Sequence, residues 1–152
     1  MRLGDVYASP GHLMRRAQQI AVAIFHEELR GFDMTPVQFA ALTAIKEHRG
    51  IDQRGLVDAI AIDRSTVGSM LSRLEAKKLI TRTTPKHNQR VKQLAITAKG
   101  QALLRACRRA IDRSQDRILA PLSARERALF MRLLARLVHI NNEASRVPLK
   151  LS

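Results

Sequence analysis

In the stretch IDRSTVGSMLSRLEAKKLI, residues 62–80, the apolar residues Val67, Met70, Leu71 and Leu74 fall at i, i+3, i+4 and i+7. That is the stripe of one helix face, and Asp63 stands just ahead of it as an N-cap. A rotation of about 100° per residue places Ser65, Ser69, Ser72 and Ala76 opposite the stripe, with Thr66 and Arg73 on its flanks. Glu, Lys or Gln would be ordinary there. Gly68 costs about 1 kcal/mol relative to alanine in a helix interior. The pattern therefore predicts a helix buried on one side and kept low on the other, so that something can approach its backbone. A surface helix with a tolerated glycine would show the same stripe, and the neighbouring elements decide between the two.

The other elements follow from the same signals. Ser9-Pro10 is a cap followed by proline at N1, opening a helix to about residue 30. Leu13, Ala17, Ile20 and Ile24 form one apolar face of it and Val22, Phe25 and Leu29 a second, which predicts more than one packing partner. Thr35-Pro36 starts a second helix to about residue 48, ended by Gly50. Ile51 reads as a short extended entry, Asp52 as the next cap, and a compact helix follows to about residue 60. A brief turn then leads into the opening stretch. Two short helices joined by a tight turn, the second small and polar outside, describe a helix-turn-helix whose second helix enters a DNA major groove N-terminus first. ITRTTPKHNQRVKQLAIT, residues 80–97, has β-branched residues on both sides of a basic, turn-prone tip and predicts a two-stranded hairpin, a wing beside the DNA backbone or in the minor groove. Thr97 caps a long helix to about residue 119, and Pro121 breaks the chain. Ser123 and Glu126 form the capping box of a last helix to about residue 143. Its apolar residues Leu129, Phe130, Leu133, Leu134, Leu137 and Val138 are too widely spread for one partner surface. The expected fold is mainly α with a small β-hairpin wing.

Charge sharpens the DNA reading. The 152 residues contain 27 Lys and Arg against 13 Asp and Glu, a net charge of +14. Such a balance favours a polyanionic partner, nucleic acid or an anionic membrane surface. Between positions 64 and 92 there are eight bases and one acid, Glu75, so half the net charge surrounds the opening stretch. No run of about 18 apolar residues occurs and the first twelve residues hold no apolar leader core, which argues against membrane spanning and secretion and for the cytoplasm, close to the nucleoid. The single cysteine, Cys107, fits a reducing compartment and sits among Leu103, Leu104 and Ile111 as a core thiol. His26-Glu27-Glu28-Leu29 is not a zinc-protease motif, and no phosphate loop, nucleophile elbow or Cys-x-x-Cys pair is present. Neither an enzyme nor a cofactor is expected, and five scattered histidines do not define a metal site.

The segment LVDAIAIDRSTVGSMLSRLEAKKLITR, followed by Asn88-x-Arg90-x-x-x-Leu94-x-Ile96-Thr97-x-x-Gly100, resembles the MarR family of bacterial winged helix-turn-helix regulators. The similarity extends over nearly the whole chain. Asparagine replaces the family's usual aspartate at position 88, and a neutral amide cannot hold Arg90 as a carboxylate would. The resemblance implies a homodimer, with residues 1–34 and 98–152 as a helical dimerisation region and 35–97 as the winged DNA-binding domain. Its two wings and helices would read a pseudo-palindrome on double-stranded DNA. Base or nearby phosphate contacts are expected from Ser65, Thr66 and Ser69, with Gly68 allowing the close approach and Gln53 and Arg54 on the preceding helix. Arg64, Arg73 and Lys77 are expected on the DNA backbone, and Lys86, His87, Asn88, Gln89 and Arg90 on the wing. The outer face lacks a central Arg or Asn for bidentate base reading, so DNA shape is expected to contribute to specificity.

Within that family, SPGHLMRRAQQIAVAIF is similar to the opening of regulators of aromatic-acid catabolism, including nicotinate degradation. His12, Arg15, Arg16 and Gln19 place donors beside an apolar stripe, as a planar carboxylate needs, and Phe39 and Thr43 could add a wall and a hydroxyl. Equally, Arg15 and Arg16 would serve as a solvated or interface pair and Phe39 as core. The resulting expectation is a repressor released from its operator by a small aromatic or heteroaromatic acid, such as a hydroxynicotinate or hydroxybenzoate. A thiol- or metal-responsive regulator on the same scaffold, or a constitutive architectural DNA-binding protein, is the alternative.

Overall fold

The computed structural model describes residues 2–85 and 91–150. In chain order the elements are α1 (Leu3–Tyr7), α2 (Pro10–Glu28), α3 (Pro36–Glu47), α4 (Gln53–Ile60), α5 (Arg64–Ala76), β1 (Ile80–Thr83), β2 (Gln93–Ile96), α6 (Ala98–Leu119) and α7 (Ala124–Ile140), followed by a 3-10 turn at Asn142–Ala144. Six expected caps are made. The side chains of Ser9, Thr35, Asp52, Asp63, Thr97 and Ser123 each accept from a backbone N–H in the first turn of the following helix. Each cap satisfies a donor that the helix leaves orphaned, which is why these polar residues set the starts so sharply.

The stripe of α5 is buried as its spacing requires: Val67, Leu71 and Leu74 have no exposed surface and Met70 very little. They join Ala41, Leu42 and Ile45 of α3, Leu56 and Val57 of α4, and Ile80 and Leu94 of the hairpin in one hydrophobic cluster. β1 and β2 pair antiparallel with Ile80 opposite Ile96 and Arg82 opposite Leu94. The extended entry at Ile51 accepts from the Leu94 N–H at 2.8 Å, so the hairpin is tied to the start of α4 as well. The same cluster continues through Phe25 of α2, Leu29 at its C-cap, and Cys107, Ala110 and Ile111 of α6. Where α2 meets α6, Glu28 receives Arg117 Nη1 and Arg113 Nε, both at 2.8 Å, and Glu27 receives Arg117 Nη2 at 2.9 Å. The guanidinium groups of Arg117 and then Arg113 hold the Glu28 carboxyl below its ordinary range. A depressed carboxylate stabilises the fold above its unfolded-state pKa, and that contribution is lost as acid protonates it.

Several boundaries differ from the periodicity reading. α1 was not expected; it is five residues long, too short to show a period, and Asp5 holds its start by accepting the Arg2 N–H at 2.8 Å. α2 ends at Glu28 rather than near residue 30. α7 ends at Ile140 rather than near 143, where the Asn141 side-chain amide donates to the Leu137 carbonyl at 2.8 Å. α5 stops without a glycine: Lys78 takes the left-handed conformation (φ 59°), and the Leu79 N–H returns to the Leu74 carbonyl at 2.9 Å. A side chain in that conformation is strained by roughly 1 kcal/mol, so the stop is imposed by the packing of Leu79 and Ile80.

Two faces stay uncovered in the single chain. α7, 17 residues long, has no buried residue, and Leu129, Phe130, Leu133, Leu134, Leu137 and Val138 are all exposed. Leu13 and Ile20, on the first face expected for α2, are about half exposed, whereas Phe25 and Leu29 on the second are buried. Patches of this extent are rare on a monomer surface.

Candidate nucleic-acid interface and effector groove

α4 and α5 are joined by a three-residue turn, with Ala61 in the left-handed conformation (φ 51°). The turn lets α5 present its small face outward. Ser65, Thr66 and Ser69 are exposed there, with Arg64 and Arg73 beside them and Arg54 exposed on α4. Gln53 is half-buried and reaches across from α4: a Cβ added at Gly68 would find its Nε2 at 3.6 Å and nothing else nearby. Gly68 is therefore not required by packing within the chain. Its missing side chain leaves open space over the outer face of α5.

The hydroxyls on that face are already engaged. Ser65 Oγ donates to Asp63 Oδ1 at 2.6 Å and Thr66 Oγ1 to Asp63 Oδ2 at 2.8 Å, while Thr66 N donates to Oδ1 at 3.0 Å. These three donors, the Ser65 hydroxyl first, hold the Asp63 carboxyl far below the usual carboxylate range. Ser69 Oγ donates back to the Thr66 carbonyl at 3.0 Å and Ser72 Oγ to the Gly68 carbonyl at 3.2 Å.

Two cations of the basic segment are occupied inside the chain. Lys77 Nζ contacts the Asp33 carboxylate and carbonyl, so its charge is shared with Asp33, whose carboxyl it holds low. Arg82, on β1 and only 19% exposed, lies with Nε 3.0 Å from the Glu75 carboxylate and donates from Nη2 to Ser72 Oγ at 3.1 Å. The Nε contact is an ion pair rather than a hydrogen bond, because its alignment leaves the buried N–H without an acceptor. Arg82 thereby braces the base of the wing against α5. In the sequence Arg82 stands out only as charge, and its proximity to Glu75 emerges once strand and helix are docked. Lys86, His87, Asn88, Gln89 and Arg90, expected at the wing tip, lie outside the described residues.

The residues expected around an acid fall into two groups. On α2, Gln19 Oε1 accepts from Arg15 at 3.3 Å and Arg16 at 3.1 Å, and Arg15 lies 3.4 Å from His12 Nδ1. The Tyr7 ring of α1 lies 5.2 Å from that of His12. Phe39 and Thr43 instead line a groove of about 370 Å³ between α3 and α6, with Lys46, Glu47, Leu104, Arg105 and Arg108. No α2 donor lines this groove within the chain. Its three cations were missed because two of them lie on α6, more than sixty positions from Phe39 and outside any local motif. Cys107 is fully buried, and burial pushes its thiol up, away from the thiolate that a redox sensor needs. Among the described residues no three His, Cys, Asp or Glu side chains are grouped as a metal site, and no helix is long and apolar enough to cross a membrane.

Residues 34–92 match the MarR family model. The chain is 29% identical over 140 residues to the HTH-type transcriptional repressor NicR of Pseudomonas putida, which covers 92% of this chain and 89% of that one. It is 31% identical over 128 residues to the transcriptional regulator HosA of Escherichia coli, covering 84% and 93%. The solved structure of Bordetella bronchiseptica BpsR, described for regulation of its DNA binding by 6-hydroxynicotinic acid, superposes with a TM-score of 0.80 at 29% identity over 86% of this chain and 94% of that one. A helix-turn-helix with an open, small-residue second helix, a hairpin wing and long flanking helices thus occurs here in a chain that belongs to the MarR family of transcriptional regulators.

Proposed function

We propose that the chain is a homodimeric repressor, released from a pseudo-palindromic operator by an aromatic or heteroaromatic carboxylate such as a hydroxynicotinate or hydroxybenzoate. The observation that carries the DNA half is the outer face of α5, where exposed small residues are flanked by Arg54, Arg64 and Arg73. Dimerisation through residues 1–34 and 98–152 covers the apolar faces of α2 and α7, which the chain alone leaves in water. The groove between α3 and α6 carries the effector half: Lys46, Arg105 and Arg108 surround Phe39 and Leu104, a cationic rim on an apolar floor suited to a flat anion. In the dimer the uncovered N-terminal half of α2 from one chain closes the groove of the other, bringing Arg15, Arg16, His12 and Gln19 to the same ligand. The kinship with a regulator whose DNA binding responds to 6-hydroxynicotinic acid supports this class of effector.

To turn a mostly bound operator into a mostly free one, the acid must favour the released state by about 5 kcal/mol. A panel of aromatic and heteroaromatic acids is expected to include at least one that raises the melting temperature and dissociates the complex. Arg16→Ala and Arg108→Ala should each keep DNA affinity and lose that response. Failure of every acid in the panel, or an Arg16→Ala protein that responds like the parent, contradicts the effector assignment.

A further inference from the structure

The hydroxyls on the outer face of α5 share one property: each has spent its only proton within the chain. Ser65 and Thr66 give theirs to Asp63, Ser69 gives its proton to the Thr66 carbonyl and Ser72 to the Gly68 carbonyl. A serine or threonine hydroxyl has one donor and two acceptor lone pairs, so once the donor is committed only acceptors point outward. An ionised carboxylate can only accept, which fixes the direction of the first two bonds. Ser72 has less left to offer, because it also accepts from Arg82.

We infer that the exposed hydroxyls of α5 form an acceptor-only surface that selects DNA by the exocyclic amino groups of adenine and cytosine, with Asp63 setting this polarity for Ser65 and Thr66 and the helix backbone setting it for Ser69. In the major groove, adenine N6 and cytosine N4 are the donors, while guanine O6 and N7, adenine N7 and thymine O4 are acceptors. Ser65, Thr66 and Ser69 can accept from the first set and have no proton for the second. The same economy denies a phosphate oxygen any bond from these three side chains, and Asp63 already fills the positive end of the helix, where a phosphate would otherwise settle. Donors to phosphate, and to guanine if it is read, must then come from Arg54, Arg64, Arg73 or Gln53. This inference rests on the reading that α5 lies in the major groove, and adds to it which bases are chosen and why.

The test uses the unaltered dimer and changes single atoms of the DNA. The duplex bound most tightly from a randomised pool is resynthesised with purine for adenine or 2-pyrimidinone for cytosine, which deletes one amino group, and separately with 7-deazaadenine, which deletes the N7 acceptor. The same changes outside the half-sites serve as reference. Deleting an amino group beneath α5 should weaken binding about fivefold or more at one position at least, because the hydroxyl oxygen facing it loses the only donor it accepts from. 7-Deazaadenine at a sensitive adenine should leave affinity within about twofold, because no hydroxyl on this face donates to N7 and no hydrogen bond is removed. Ser65→Ala, Thr66→Val or Ser69→Ala, none of which adds bulk, should abolish the sensitivity at the matching position. Indifference to every amino deletion, sensitivity to 7-deazaadenine instead, or sensitivity that survives all three variants overturns the inference while the preference for the selected duplex remains. A pool from which no duplex is enriched overturns the groove reading itself.

Discussion

Gly100→Ala should destabilise the folded chain by about 2 kcal/mol and lower its melting temperature by about 4–8 °C. Alanine is ordinarily the better residue by about 1 kcal/mol inside a helix, and Gly100 lies in the first turn of α6, so propensity alone predicts a gain. Space predicts the opposite. A Cβ at this position would stand 2.3 Å from the Leu79 carbonyl oxygen and 2.7 Å from Ile96 Cγ1. Ile96 can turn aside, but the Leu79 carbonyl cannot move freely, because it accepts from Thr97 N at 3.0 Å and Thr97 Oγ1 at 3.1 Å. Thr97 Oγ1 in turn caps α6 by accepting the Gly100 N–H at 3.0 Å. Relieving the clash therefore pries the hairpin from α6 or opens the cap, a cost of about 3 kcal/mol that outweighs the propensity gain. A thermal or denaturant melt decides the sign, and an unchanged or raised midpoint would show that the hairpin yields without loss.

The second large effect is on binding and leaves stability alone. Ser69→Glu should weaken specific DNA binding at least about 100-fold, while the melting temperature stays within what an exposed substitution moves, about 0.5 kcal/mol. Ser69 is exposed at the middle of α5, and its one bond is to the backbone of its own helix. Glutamate is tolerated in a helix, so the fold has no reason to fail. Against a groove lined by phosphates, however, its carboxylate adds like-charge repulsion and bulk where Gly68 and the serines keep the surface low. Native affinity in a folded Ser69→Glu protein would remove α5 from the groove.

The parts of this structure that could be read in advance are those governed by neighbours in sequence. The stripe Val67, Met70, Leu71 and Leu74 is buried because a helix rotates by a fixed angle, and the six caps form because each cap and its N–H partner lie three residues apart. The Lys77–Asp33 pair, the Arg113 and Arg117 clamp on Glu28 and the contact of Gly100 with Leu79 depend on how the helices dock. They join residues up to 89 positions apart, or backbone atoms with no pattern of their own. The groove between α3 and α6 shows both cases. Phe39 and Thr43 were visible as one turn of one helix, while Arg105 and Arg108 reach them only through the packing of α6 on α3. The C-terminal segment is a third instance: Asn142 holds Leu149 through both its amide atoms, and the Lys150 N–H reaches the Asp58 carbonyl of α4 at 3.0 Å, although the chain there carries no periodic signal.

If two copies of the chain read a specific DNA sequence through paired α5 helices, selection from a fully randomised duplex pool will show it. The enriched sequences should contain two inverted half-sites with centres about one helical turn, roughly 34 Å, apart. They should bind two chains per duplex, at least about a thousandfold more tightly than the unselected pool at the same salt concentration. No enrichment, or a lone half-site bound by one chain with full affinity, would rule out paired reading by two α5 helices.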